Sequence, residues 1–265
     1  TLESPSGTEL ADVEIVDPAP LAPPEYAELP LGLVNLTVLG IEPGATVAVE
    51  VFIEGERVPD EYWKFQDGEW IDYTDHVDLT TNPIVVTLTD RTADQAGLGD
   101  QDPTPGLIVD PGGPVFGARS LLTIARADLL DGRAEFDASD LFWVDKAIDA
   151  LDDVLAPDRW SSPLRLDPGT AEESFDDIRL AVAWLMRVSD TESDAITVID
   201  DLVDVARLLA ETAIADARAA GGDAKKLDRA EQSLLLATRD LAANKPDKAV
   251  LRYYLAWNLA YVSQA

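Results

Sequence analysis

The sequence predicts two domains, an all-β sandwich over residues 1–117 followed by an all-α helical bundle with antiparallel helices over residues 118–265. Three observations point there. Short runs of β-branched and aromatic residues, separated by Pro-, Gly- and Asp-rich turns, fill the first part. From about Ala118 that grammar stops, and Leu, Ala, Asp and Arg recur at three- and four-residue steps. At 265 residues the chain also exceeds what a single hydrophobic core usually serves.

In the first part, strands are expected at residues 34–39, 46–53, 62–65, 70–73, 84–89 and 107–109. The clearest lies between Gly44 and Gly55, where Val47, Val49 and Val51 share one face, the period-2 pattern of a half-buried strand.

In the second part, helices are expected at residues 120–130 and 139–155, the latter stopped by Pro157. Thr170-Ala171-Glu172-Glu173 reads as a capping box opening a helix to about Val188. Over residues 194–220, Ile196, Ile199, Val203, Ala206, Ala210, Ala213 and Ala217 form a heptad seam that Gly221-Gly222 ends. A second seam of Leu227, Ala230, Leu234, Ala237 and Leu241 follows. Asn244-Lys245-Pro246 then turns the chain into a last helix bearing Tyr253, Ala256, Trp257 and Ala260. Short connections make these helices antiparallel neighbours, and small Ala at the seams suits a thin, rigid bundle.

Charge narrows the function classes. The net charge of −31, with 34 Asp against 17 Glu, repels nucleic acid and anionic lipid and favours cations or basic partners. No apolar run is long enough to insert in a membrane. With no Cys, disulfides, thiolate zinc sites and thiol nucleophiles are excluded. The chain opens on Thr1 with no export signal, as expected of a processed form or a fragment, so a missing signal does not argue for the cytoplasm.

The charge is also unevenly placed. Residues 1–117 carry 23 acidic and 3 basic side chains, residues 118–220 carry 23 and 10, and residues 221–265 carry 5 and 7. The C-terminal helical hairpin is therefore the cationic part, through Lys225, Lys226, Arg229, Arg239, Lys245, Lys248 and Arg252. Two readings stand side by side: attraction to the acidic domain of a neighbouring copy, weakened by salt, and ordinary pairing along helix surfaces.

Asp90, Asp94, Asp100, Asp102 and Asp110 place five carboxylates within 21 residues, among glycines that permit tight turns. Brought together they repel one another, and a hard cation with oxygen ligands such as calcium removes that penalty. An EF-hand is excluded, because Pro105 stands where the loop glycine belongs and no Glu occupies the twelfth position. The remaining alternatives are a calcium loop of another kind and an acidic turn hydrated or satisfied by backbone donors.

Several segments together resemble the choice-of-anchor U domain of large bacterial and archaeal secreted proteins. These are Pro30-Leu31-Gly32-Leu33-Val34-Asn35-Leu36-Thr37-Val38, Glu42-Pro43-Gly44-Ala45-Thr46-Val47, Tyr62-Trp63-Lys64-Phe65, and the stretch from Thr89-Asp90 to Gly113. The resemblance covers about residues 8–117 and implies an exported, surface-displayed module without enzymatic activity. Residues 91–96 are extra relative to that pattern, and Pro103-Thr104-Pro105 departs from it, so Asp90, Asp100, Asp102 and Asp110 match the motif while Asp94 lies in the insertion. The helical part resembles, more loosely, helical segments that accompany such domains.

An enzyme is not expected. His76 is the single histidine, which removes most zinc sites and Ser-His triads, and no phosphate- or dinucleotide-binding motif occurs. The leading expectation is a non-enzymatic, extracellular structural or surface protein, stabilised by calcium. It self-associates as a homo-oligomer or polymer, in a filament, sheath or surface layer, through the acidic N-terminal domain and the basic C-terminal hairpin. The alternative is a carbohydrate-binding or adhesive module, with Trp63, Trp70 and Tyr73 available to stack on a glycan ring. An acid-pair hydrolase is third, since 51 carboxylates make suitable pairs common by chance.

Overall fold

The computed structural model describes residues 1–23, 29, 31–53, 58–91, 100–162, 164–188 and 194–264. The chain divides into two compact units, Thr1–Gly117 and Ala118–Ala265.

The first unit is a β-sandwich. Its strands are β1 (Leu2–Glu3), β2 (Glu9–Val16), β3 (Leu33–Leu39), β4 (Thr46–Val51), β5 (Glu61–Gln66), β6 (Glu69–Asp72), β7 (Val77–Asp78), β8 (Ile84–Thr89) and β9 (Leu107–Val115). They form two antiparallel sheets, ordered β1-β4-β8-β7 and β2-β3-β9-β5-β6. Alternation sets the core: Val49 and Val51 of β4, Ile84, Val86 and Leu88 of β8, and Leu36 and Val38 of β3 are buried, while Thr46, Ala48 and Glu50 are exposed. Each such buried aliphatic side chain contributes about 1.5–3 kcal/mol. The Tyr73 hydroxyl, just after β6, donates to the Thr87 carbonyl of β8 at 2.7 Å and so ties the two sheets.

Two strands lack the expected pattern in sequence. β2 is acidic and mostly exposed, and is held by pairing with β3 across a bulge at Asp12, whose φ is +50°. Residues 1–16 thus pair within their own chain. β9 runs through Asp110-Pro111-Gly112-Gly113-Pro114, which reads as a turn. It lies beside β3 from Leu107 to Gly112 and beside β5 from Gly112 to Val115. Each proline therefore has a ladder on one side only, where a missing N–H is tolerated.

The second unit is helical: α1 (Ala118–Asp131), α2 (Ala138–Val154), α3 (Ala171–Leu185), α4 (Asp194–Ala219), α5 (Ala224–Ala242) and α6 (Pro246–Ser263), with a short hairpin of β10 (Trp160–Ser162) and β11 (Arg165–Leu166) between α2 and α3. α4 is central, packed against α1, α3 and α6, and α5 rests mainly on α6. The heptad seam accounts for only part of α4. Val203, Ala206, Ala210 and Ala217 are buried as the spacing predicts, but so are Val198, Leu202, Val205, Leu208, Leu209 and Ile214, and Ile196 is 46% exposed. A helix surrounded by three others buries most of its circumference, which a two-helix seam does not describe.

One helix start differs from its sequence signature. The Thr170 hydroxyl makes no cap at α3; it donates to the Asp167 carbonyl, and Glu173 pairs with Arg159 instead of reaching back. Asp223 does cap α5, accepting from the Lys226 N–H at 3.0 Å. Among the described residues no helix is long and apolar enough to cross a membrane.

Candidate functional site

The predicted carboxylates lie at the ends of β8 and β9 and in the loop joining them. Asp90 follows β8, Asp100 precedes β9 in the chain, and Asp110 is inside β9. All three are completely buried. Asp102 is half-buried. Asp94 lies outside the described residues.

Buried carboxylates need donors, and the backbone supplies most of them. Asp90 Oδ2 accepts from the N–H groups of Gly44 at 2.7 Å and Gly106 at 3.0 Å. Both glycines sit in the left-handed region, with φ of +77° and +87°, so these two positions need the freedom that glycine has. Asp100 Oδ1 accepts from Asp102 and Val109, both at 2.9 Å, and its Oδ2 accepts from Arg91 at 2.8 Å. The Gln66 side chain closes the same corner by donating to the Asp100 carbonyl. Asp100 therefore pins the start of the loop excursion, its end and the first part of β9 to one side chain.

Asp110 has a different partner. Its carboxylate forms an ion pair with the Lys64 ammonium of β5, and the two side chains are 0% and 1% exposed. The ammonium also sits over the Tyr73 ring, 4.4 Å from its centre. Burial pushes the Lys64 pKa down, opposed by the attraction of Asp110 and then Asp100. Burial likewise pushes the Asp110 carboxyl up, with Lys64 pulling it back and Asp100 adding to the rise. Tyr62 and Tyr73 are both raised, by burial first and by the Asp110 charge second. Asp102 is lowered by its hydrogen bonds to Thr104, first from the side chain and then from the N–H.

Gly112 and Gly113 serve this site by leaving room. A Cβ on Gly112 would lie 2.6 Å from the Tyr62 ring, and one on Gly113 would lie 2.6 Å from the Gly32 carbonyl oxygen. Neither is at positive φ. The expectation of a turn here is corrected: Gly112 lets the Tyr62 ring lie against β9, and Gly113 admits the Gly32 carbonyl.

These side chains do not fit a calcium shell. Calcium takes six to eight oxygens facing one point, whereas Asp100 spends both oxygens on N–H donors, Asp90 spends one on two of them, and Asp110 faces an ammonium. Among the described residues no three acids or histidines are grouped to hold a metal. Three buried carboxylate oxygens, Asp90 Oδ1 and both of Asp110, have no hydrogen-bond partner among the described residues, although Asp110 is ion-paired with Lys64. Asp100 matches the second sequence alternative, a carboxylate satisfied by backbone donors, and for Asp110 Lys64 supplies the cation.

Lys64 went unrecognised in the sequence, although a signal was there. It is one of 3 basic residues in the first 117, placed between aromatics. With Tyr62 and Gln66 it shares the buried face of β5. The aromatics proposed to meet a glycan are also otherwise engaged. Trp63 and Tyr73 are buried, and the Trp70 indole packs on the core and donates to the Leu21 carbonyl. His76 lies against the Tyr73 ring.

The cationic hairpin of α5 and α6 is the other candidate. Most cations elsewhere in the helical unit are engaged: Arg126, Arg133, Lys146, Arg159, Arg165, Arg179, Arg207 and Arg218 pair with carboxylates, and Arg187 lies over Trp143 and Trp184, while Arg119 makes no ion pair among the described residues. In the hairpin, Arg252 pairs with Asp240 and Lys226 donates to the Val262 carbonyl. Lys225, Arg229, Arg239, Lys245 and Lys248 are exposed and make no ion pair among the described residues.

Compared with known proteins, the chain matches no family model, no curated protein and no solved structure.

Proposed function

We propose that this chain is a non-enzymatic, extracellular structural protein that associates with copies of itself into a filament, sheath or surface layer. The observation that carries the proposal is the cationic hairpin, five of whose seven cations are exposed and make no ion pair among the described residues, in a chain whose net charge is −31. With 51 carboxylates available, most lysines and arginines of α1 to α4 do find partners. Cations left without them attract an acidic surface on another molecule. The sandwich, with 23 acidic and 3 basic residues, is such a surface. The resemblance of about residues 8–117 to surface-displayed modules supports the extracellular setting.

The buried Lys64, Gln66 and Asp100 of the sandwich are committed to structural contacts, which supports a scaffold in preference to a catalyst. Calcium has no derived role in this proposal. The test is sedimentation velocity of the whole chain over a range of concentration at low and high salt. Association that weakens as salt rises supports the proposal, and a monomer under all conditions overturns it.

A glycan-binding or adhesive reading has one observation in its favour, at a different place from the sequence expectation. Trp143 of α2 and Trp184 of α3 stack at 5.4 Å, half-exposed, beside the exposed Phe142. Glycan-array binding lost in Trp143→Ala and in Trp184→Ala would select that reading.

A further inference from the structure

Resting on the self-association reading, we infer that the outward face of α5 docks into an apolar groove on the sandwich of a second copy, a contact that repeats head to tail.

The α5 face has the make-up of an interface. Lys225, Arg229, Gln232, Leu236 and Arg239 recur every three or four residues and so form one exposed stripe, with Leu235 beside it. Leu235 is 63% exposed, among the highest values for a large apolar side chain in this protein. Two leucines flanked by Arg229 and Arg239, with no ion pair on either arginine among the described residues, make an apolar centre with a cationic rim.

The groove is its complement. It encloses about 600 Å³ at the open side of the sandwich, where β1 and β2 are the edges of their sheets. Its lining is apolar, including Leu2, Leu10, Val13, Ile15 and Phe52. Ile15 is 64% exposed and Val13 is half-exposed, unusual for aliphatics on a strand. The bounding strands carry Glu3, Glu9, Asp12 and Glu14, all exposed. Among the described lysines and arginines of the sandwich, Lys64 is buried and Arg91 pairs with Asp67, and the Thr1 ammonium in the groove lining donates to the Phe52 carbonyl.

Charge complementarity selects the occupant. Two grooves facing each other, or two α5 faces, put like charges together, whereas groove against α5 satisfies both rims and covers both apolar centres. Such a contact joins different surfaces, so each copy keeps one of each unused and a chain of copies grows until a rotation closes it.

The chain has no cysteine, so an engineered pair is read without background. Whole-chain Leu235→Cys is mixed with whole-chain Ile15→Cys at low salt under mild oxidation, and with Thr80→Cys, on an exposed loop, as control. The expected result is a disulfide-linked pair forming about tenfold faster with Ile15→Cys than with the control, a preference that high salt removes. In parallel, sedimentation of Leu235→Ser/Leu236→Ser and of Arg229→Glu/Arg239→Glu is expected to show self-association weakened by about tenfold or more. If the parent associates but cross-linking shows no preference, or the α5 variants associate as the parent does, this inference is overturned and the self-association reading stands. If the parent never associates, both fall.

Discussion

The Lys64 ammonium on β5 and the Asp110 carboxylate on β9 form an ion pair inside the sandwich, under the Tyr73 ring that links one sheet to the other. Two opposite charges removed from water this completely are costly singly and tolerable together. Lys64→Met leaves a buried carboxylate without its cation and is expected to lower stability by about 3–5 kcal/mol. Lys64→Met/Asp110→Leu removes both charges and is expected to recover most of that loss. Urea unfolding of the parent, both single variants and the double variant measures the coupling, and a double variant as unstable as Lys64→Met would refute the account.

The same variant has a defined pH dependence. Burial raises the Asp110 pKa, and Lys64 is the group that pulls it back. In Lys64→Met the carboxyl therefore rises further and holds a proton in the native state where the unfolded chain, near its ordinary value of about 3.9, has released it. The native state then binds more protons, so stability falls as pH climbs from the unfolded value through the folded one. Denaturation of Lys64→Met is expected to show a smaller deficit near pH 4.5 than near pH 8. An equal deficit at both would exclude Asp110 as the cause.

Asp100 and Asp102 are adjacent in motif and opposite in role. Asp100 satisfies three N–H groups from a buried position, and Asp100→Ala is expected to cost about 3 kcal/mol or more. Asp102 sits half-buried beside Thr104, and Asp102→Ala is expected to cost under about 1 kcal/mol. Thermal unfolding of the two variants separates them; equal effects would mean that the carboxylates act as a shared ligand set.

With Asp100 satisfied by N–H groups and Asp110 paired with an internal ammonium, the sandwich is expected to hold without an added ion. The melting temperature is expected to change by less than about 2 °C on complete chelation and on adding calcium at constant ionic strength. A large, saturable rise with calcium would return the metal to the site, with Asp90 Oδ1 as its first ligand.

The two helix starts give a matched comparison. Asp223→Ala removes a formed cap and is expected to destabilise by about 1 kcal/mol, whereas Thr170→Ala removes a hydroxyl that caps nothing and should cost under about 0.5 kcal/mol. Calorimetry of both variants checks the order.

Local pattern made much of this architecture legible. β8 lies at Ile84–Thr89 as the β-branched run predicts, β4 starts at Thr46, and α5 follows its capping aspartate, because period and cap chemistry act over a few residues. Strand β2 was not legible: Glu9–Val16 is acidic and exposed, and only its pairing with β3 makes it a strand. The Pro-Gly-Gly-Pro segment of β9 has turn composition, yet a Cβ on Gly112 would lie 2.6 Å from the Tyr62 ring and one on Gly113 2.6 Å from the Gly32 carbonyl oxygen.

By itself, then, the sequence determined the two-part architecture, the place where β gives way to α, the crowding of aspartates and the uneven spread of charge. Composition and period carry those properties whatever the distant contacts. Only the tertiary structure decided what the aspartates hold, because Lys64 is 46 residues from Asp110 and Gly44 is 46 from Asp90. It also decided which cations stay unpaired, since an ion pair needs two side chains within a few ångströms and no spacing rule reaches across a fold.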